Sequence, residues 1–174
     1  MPMPRRQFTI ALVLLLLSAC VTVTLQRSEP AVPAARPKPA TANCPVPARS
    51  AADAPRLVAL INGERSRAGL APLTLSPTLA KVAHAFACEA AARGDIGHTG
   101  SDGSTLRERL ARANLAPRMA AENNAAGQPS PEAVLAAWMA SPAHRANILR
   151  PDAHQIGLGQ ADGKWPVWVT DFTS

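Results

Sequence analysis

Two histidines and one glutamate are the residues best placed to do chemistry: His98, directly after Gly97; Glu122; and His144, in the first turn of a helix begun by Ser141-Pro142. The positive end of that helix disfavours a charged His144, and a neutral imidazole is the form that binds metal. Two imidazoles and a carboxylate make a workable zinc set with a position left for water, which the ion would activate near neutral pH. The same three groups serve equally as structural hydrogen-bonders. No His-Glu-x-x-His pair fixes two ligands on one helix. Ser141 reads as a helix cap rather than a nucleophile, because no Gly-x-Ser-x-Gly elbow occurs. His84 and His154 read as solvent-facing. Arg145, beside His144, can hold an anion or pair with Glu122. Asn123 and Asn124 are expected in the turn after Glu122, where Asn123 would orient the loop through side-chain-to-backbone bonds.

Positioning these groups falls to a run of helices followed by a hairpin. Asp53 before Ala54-Pro55 predicts a helix running to Gly69 with Leu57, Leu60 and Ile61 on one face. Ser76-Pro77 starts a second that ends near Gly94. Thr105 and Glu108 form a capping box for a third. Ser130-Pro131 starts a fourth, which buries Val134, Leu135, Trp138 and Met139, and Ser141-Pro142 begins a further turn through Leu149. Ile156 to Gly159, an Asp162-Gly163 turn and Trp165 to Phe172 predict a β-hairpin. Met119 to Ala121 could add a short strand. This order implies an α+β domain with helices around a small, mostly antiparallel sheet.

Ahead of this domain, residues 1–19 read as an export signal: Arg5 and Arg6, an apolar run from Phe8 to Leu17, then Ser18-Ala19 before Cys20. Leu17-Ser18-Ala19-Cys20 resembles the bacterial lipobox, which implies a lipid on Cys20 and an anchor in the membrane. Arg5-Arg6-Gln7-Phe8 also resembles a twin-arginine signal, and the export route stays open. Residues 20–50, with prolines set among Ala, Thr and Arg, cannot bury a core and read as a semi-rigid tether. Residues 51–174 form one domain. The pI near 10.2 arises outside that domain, which carries twelve basic and eleven acidic residues. A nucleic-acid partner is therefore not expected, the more so as the chain has no tyrosine and no aromatic-basic platform. With Cys20 assigned to lipid, Cys44 and Cys88 remain in an oxidising compartment and suggest one disulfide. Helical spacing puts Cys88 opposite the apolar stripe of its helix, where a covering segment could reach it.

Four segments in order carry a family resemblance. They are Leu60-Ile61-Asn62 with Arg65 and Arg67-Ala68-Gly69-Leu70; Gly97-His98; Ala121-Glu122-Asn123; and Trp138-Met139-Ala140-Ser141-Pro142-Ala143-His144-Arg145-Ala146-Asn147-Ile148-Leu149. Ile156-Gly157-Leu158-Gly159 and Trp168-Val169-Thr170-Asp171-Phe172 continue it. Together they resemble the bacterial branch of the CAP superfamily, the SCP domain shared by cysteine-rich secretory proteins, antigen 5 and pathogenesis-related 1 proteins. The resemblance implies an α-β-α sandwich and a cleft at His98, Glu122 and His144, supported by Asn123 and Arg145. A second glutamate found in many eukaryotic members aligns with Ser141, which leaves the cleft one carboxylate short. Two function classes follow for an exported protein facing the periplasm or the cell exterior. One is an envelope module whose cleft holds a small lipid, a wall-derived ligand or a partner protein. The other is a metal-assisted hydrolase of peptide or peptidoglycan bonds, with zinc on His98, His144 and Glu122.

Overall fold

The computed structural model describes residues 44–174. The expected signal, Cys20 and all but the last residues of the expected tether lie outside the described residues. No described helix is long and apolar enough to cross a membrane.

Five helices and four strands follow in the order α1 (Ser50–Arg67), β1 (Thr74–Leu75), α2 (Pro77–Arg93), α3 (Leu106–Arg112), β2 (Ala120–Ala126), α4 (Pro131–Ala140), α5 (Pro142–Ile148), β3 (Gln155–Ala161) and β4 (Val167–Thr173). The starts of α2, α3 and α4 are set by local chemistry. Ser76 accepts the Leu79 amide, Thr105 and Glu108 close a reciprocal capping box, and Ser130 accepts the Ala133 amide. Gly94 ends α2 in the left-handed region at φ 68°, where a side chain would be strained.

α1 begins a turn earlier than Asp53 suggests, at Ser50, and carries Pro55 inside it. Tertiary contacts outweigh the cap signal: Asp53 accepts the Gln160 amide of β3 instead, at 2.9 Å. Residues just ahead of the helix are joined to the domain, Arg49 to Asp162 and Cys44 to Cys88.

The sheet order is β1-β3-β4-β2, antiparallel except where β1 runs parallel to β3. The two-residue β1 carries too little pattern to be seen in sequence. β2 is far longer than the three residues expected, and it includes Asn123 and Asn124, which are buried strand residues rather than a turn. Both faces of the sheet are covered. Leu57, Ile61, Val134, Trp138 and Ile148 pack on Ile156, Trp168 and Phe172 on one face. Ala83, Phe86, Ala87 and Ala90 of α2 pack on Ala161, Val167 and Val169 on the other.

α2 lies directly against β3 because Gly157 and Gly159 present no side chains to it. A Cβ at Gly159 would fall 2.1 Å from the Ala83 carbonyl carbon, and one at Gly157 would fall 2.3 Å from that of Leu79. A second spacing device is Arg65, fully buried at the end of α1. Its guanidinium donates to the carbonyl oxygens of Ala71, Ile148, Arg150 and Ala153, and so ties α1 to the end of α5 and to the approach to β3.

The Cys44–Cys88 disulfide closes a separation of 44 residues with its Cα atoms 5.7 Å apart. Loop closure on that scale is worth about 4 kcal/mol in the chain-entropy model. Cys88 is buried rather than outward, since the segment carrying Cys44 covers this side of α2.

Candidate functional site

β2 is an edge strand, and its alternation sorts the site onto two faces. Glu122 meets α3 on the face covered by α2, while Asn123 points to α5 on the opposite face. His98 arrives from the loop after α2 and His144 from the first turn of α5, so the two residues meet β2 from its two faces, at Glu122 and Asn123. The edge itself is covered, because Asn147 donates to the Glu122 carbonyl oxygen at 3.3 Å and the Trp138 indole donates to that of Asn124 at 3.2 Å.

Several bonds fix the His98 loop. Asn124 donates its side-chain amide to the carbonyl oxygens of Ile96 and Gly97, and Arg109 donates to that of His98. Farther along, the buried Glu89 accepts the Ser101 amide. Asp102 accepts from Ser104 and pairs with Arg112, which holds its carboxyl down at about 2. On the α5 side, Asn123 donates to the His144 carbonyl oxygen at 3.0 Å and accepts from Asn147 at 2.9 Å. Asn123 thus orients a helix, not the turn expected for it.

Glu122 is the hub. One carboxylate oxygen accepts from His98 Nδ1 at 2.8 Å and from Asn124 at 3.2 Å; the other pairs with Arg109 at 2.5 Å. Arg109 is itself buried, with its guanidinium 3.8 Å from the centre of the Phe86 ring. The expected partner Arg145 is exposed, and Arg109 takes the place proposed for it. Nothing in a single sequence marks Arg109, a basic residue in the last turn of a short helix. Asp171, directly across from Glu122 in the β2–β4 register, is the second residue that sequence reading missed. It is fully buried, and no donor among the described residues reaches either of its oxygens. Burial pushes its carboxyl well above the usual range, and the Glu122 charge adds to this.

The imidazoles are driven apart. The hydrogen bond to Glu122 raises His98 above its ordinary value, while burial, then the nearby His98 charge, lowers His144. One ring favours donating and the other accepting, which suits a ligand with a hydroxyl or carboxyl group.

A zinc ion fits this cleft poorly. Among the described residues, three His, Cys, Asp or Glu donor atoms gather within 4.8 Å of one another only at Cys44, His84 and Cys88. Both Glu122 oxygens are engaged, which leaves two imidazoles without a third ligand.

Along the same face of β2, two residues beyond Asn124, Ala126 borders a cavity of about 320 Å³. Ile96, Gly127, Lys164, Trp165 and Val167 form much of its wall. Trp165 lies in the turn rather than in β4, nearly half exposed, with the Lys164 ammonium 4.3 Å over its ring.

The sequence model of the Cysteine-rich secretory protein family, CAP, matches residues 58–172. The chain belongs to the CAP family. Its CAP domain is 33% identical over 117 residues to the uncharacterized protein YkwD of Bacillus subtilis, a match covering 67% of this chain and 45% of YkwD. Among solved structures it is similar to an extracellular SCP-domain protein from Bacillus anthracis, with 28% identity and a TM-score of 0.64 over 68% of this chain and 39% of that one. It is also similar to an outer surface protein of Borrelia burgdorferi, with 25% identity and a TM-score of 0.67 over 72% and 94%. The chain therefore spans less than half of YkwD and of the B. anthracis protein. These likenesses agree with the α-β-α sandwich.

Proposed function

We propose that this protein is an exported, lipid-anchored CAP module whose cleft holds a small amphipathic envelope ligand without turning it over. Support for export comes from the signal-like residues 1–19 and from the extracellular and surface placement of the two structural relatives. The observation that carries the binding reading is the engagement of both Glu122 oxygens by His98, Asn124 and Arg109, which leaves neither a free carboxylate base nor a third metal ligand. The ligand's polar end meets His98 and His144, and its apolar part follows β2 toward the cavity at Ala126 and Trp165. A lipid carboxylate satisfies both ends. A wall-derived sugar or peptide satisfies only the first.

Calorimetry on the oxidised full-length chain tests this, with a long-chain fatty acid, a soluble peptidoglycan fragment and zinc titrated in turn. The reading expects the fatty acid to bind and the His98→Ala/His144→Ala variant to lose that binding. Stoichiometric zinc binding that disappears in the same variant would replace it with the metal-assisted hydrolase.

A further inference from the structure

The one cluster of metal-ligating atoms among the described residues lies away from the cleft. Cys44, His84 and Cys88 bring two sulfurs and an imidazole nitrogen within 4.8 Å of one another. His84 and Cys88 are four residues apart on α2 and so share a face of the helix. His84 is half-buried and firmly held rather than solvent-facing. In the tautomer whose Nδ1 donates to the Gln160 carbonyl oxygen, 2.8 Å away, Nε2 keeps its lone pair; in the other, Nε2 donates to the Cys44 carbonyl oxygen, and a metal selects the first. Nε2 lies 3.6 Å from Cys88 Sγ and 3.1 Å from the Cys44 carbonyl oxygen. A carbonyl that fixes the far ring nitrogen is the usual support of a metal-binding histidine. Tetrahedral zinc, with bonds of about 2.3 Å to sulfur and about 2.0 Å to nitrogen, sets those two atoms about 3.5 Å apart. The spacing of Nε2 and Cys88 Sγ already meets that requirement. A cavity of about 500 Å³ lined by Val46, Pro47, Lys81, His84 and Gln160, among others, gives access from outside.

We propose that reduction of the Cys44–Cys88 disulfide opens a binding site for a zinc-class divalent cation, with Cys44 Sγ, Cys88 Sγ and His84 Nε2 as ligands and water in the fourth position. An external dithiol is the reductant. One of its thiolates attacks a sulfur of the bridge, the S–S bond breaks, and its second thiol resolves the mixed disulfide. Two electrons and two protons pass to Cys44 and Cys88, and the reductant leaves as its own disulfide. The cation then displaces two thiol protons to solvent. Bridge and metal are mutually exclusive, and each ties the segment at residue 44 to α2. The site thus exchanges one cross-link for another as the redox state changes.

The test uses the full-length chain, reduced anaerobically with a dithiol, freed of reductant and titrated with cobalt(II), then zinc. One equivalent of cobalt should produce a thiolate-to-cobalt charge-transfer band that zinc removes, and oxidised protein should give none. Imidazoles alone cannot produce this band, so any cobalt in the His98/His144 cleft is distinguished. His84→Ala retains the bridge for folding and, once reduced, should bind more than about tenfold more weakly, since even outer-shell partners are worth that much. Zinc should raise the melting midpoint of the reduced wild type but not of a reduced Cys88→Ser variant. Absence of the band in the reduced wild type, or unchanged affinity in His84→Ala, would overturn the proposal.

Discussion

Replacing Arg65 with methionine probes the joint that carries His144. Four backbone carbonyl oxygens, of Ala71, Ile148, Arg150 and Ala153, accept from this one guanidinium at 2.8 to 3.1 Å. Burial lowers the Arg65 pKa, and arginine nevertheless stays charged at neutral pH. Each bond to a charged donor contributes roughly 1.5–3 kcal/mol, offset by desolvation of a charge with no carboxylate partner among the described residues. At about 1 kcal/mol net per bond, with the thioether filling most of the space, Arg65→Met should lose about 4 kcal/mol. That is a large share of the roughly 5–15 kcal/mol typical of a domain. Arg65→Lys keeps three donors on a shorter reach and should lose about half as much. Urea unfolding followed by the fluorescence of buried Trp138 and Trp168 measures both. In folded Arg65→Met the His144 resonances should broaden, because the carbonyl at the end of α5 has lost its anchor. A loss below about 1 kcal/mol for Arg65→Met would refute the reasoning.

Glu122→Gln should lower the NMR titration midpoint of His98, whose pKa is raised first by that hydrogen bond. The pair stabilises the fold below His98's unfolded pKa of about 6.5 and fades as pH rises through the folded value; an unmoved midpoint would show that Glu122 does not set it. Asp171→Asn should gain stability relative to wild type as pH rises above about 4, because the unfolded wild type ionises more readily than the folded carboxyl, whose pKa burial raises. Urea midpoints at pH 4 and pH 7 that show the same difference would contradict this. Gly159→Ala should destabilise by about 3 kcal/mol or more or prevent folding, since its Cβ meets the backbone of α2; a wild-type melting temperature would disprove the close approach.

Local chemistry made much of the fold legible. Ser76-Pro77, Thr105 with Glu108 and Ser130-Pro131 announce helix starts because each satisfies amides within its own turn, and the Asp162-Gly163 hairpin needs only neighbouring residues. The motif around His144, with Gly97-His98 and Glu122, was enough to point to the family. What the tertiary structure decided depends on residues far apart in sequence. β2 extends through Asn123 and Asn124 because α4, α5 and the His98 loop satisfy those amides and carbonyls, whereas locally Asn-Asn reads as a turn. Arg109 rather than Arg145 neutralises Glu122, and Asp171 is buried behind it, because the packing of α3 and the β2–β4 register place them there. His84 reads as a solvent-facing histidine on its own helix. Only the segment at Cys44 and the carbonyl of Gln160 turn it into part of a cluster. Spacing along a chain sets periodicity and caps, but charge pairing and burial are properties of neighbours in space.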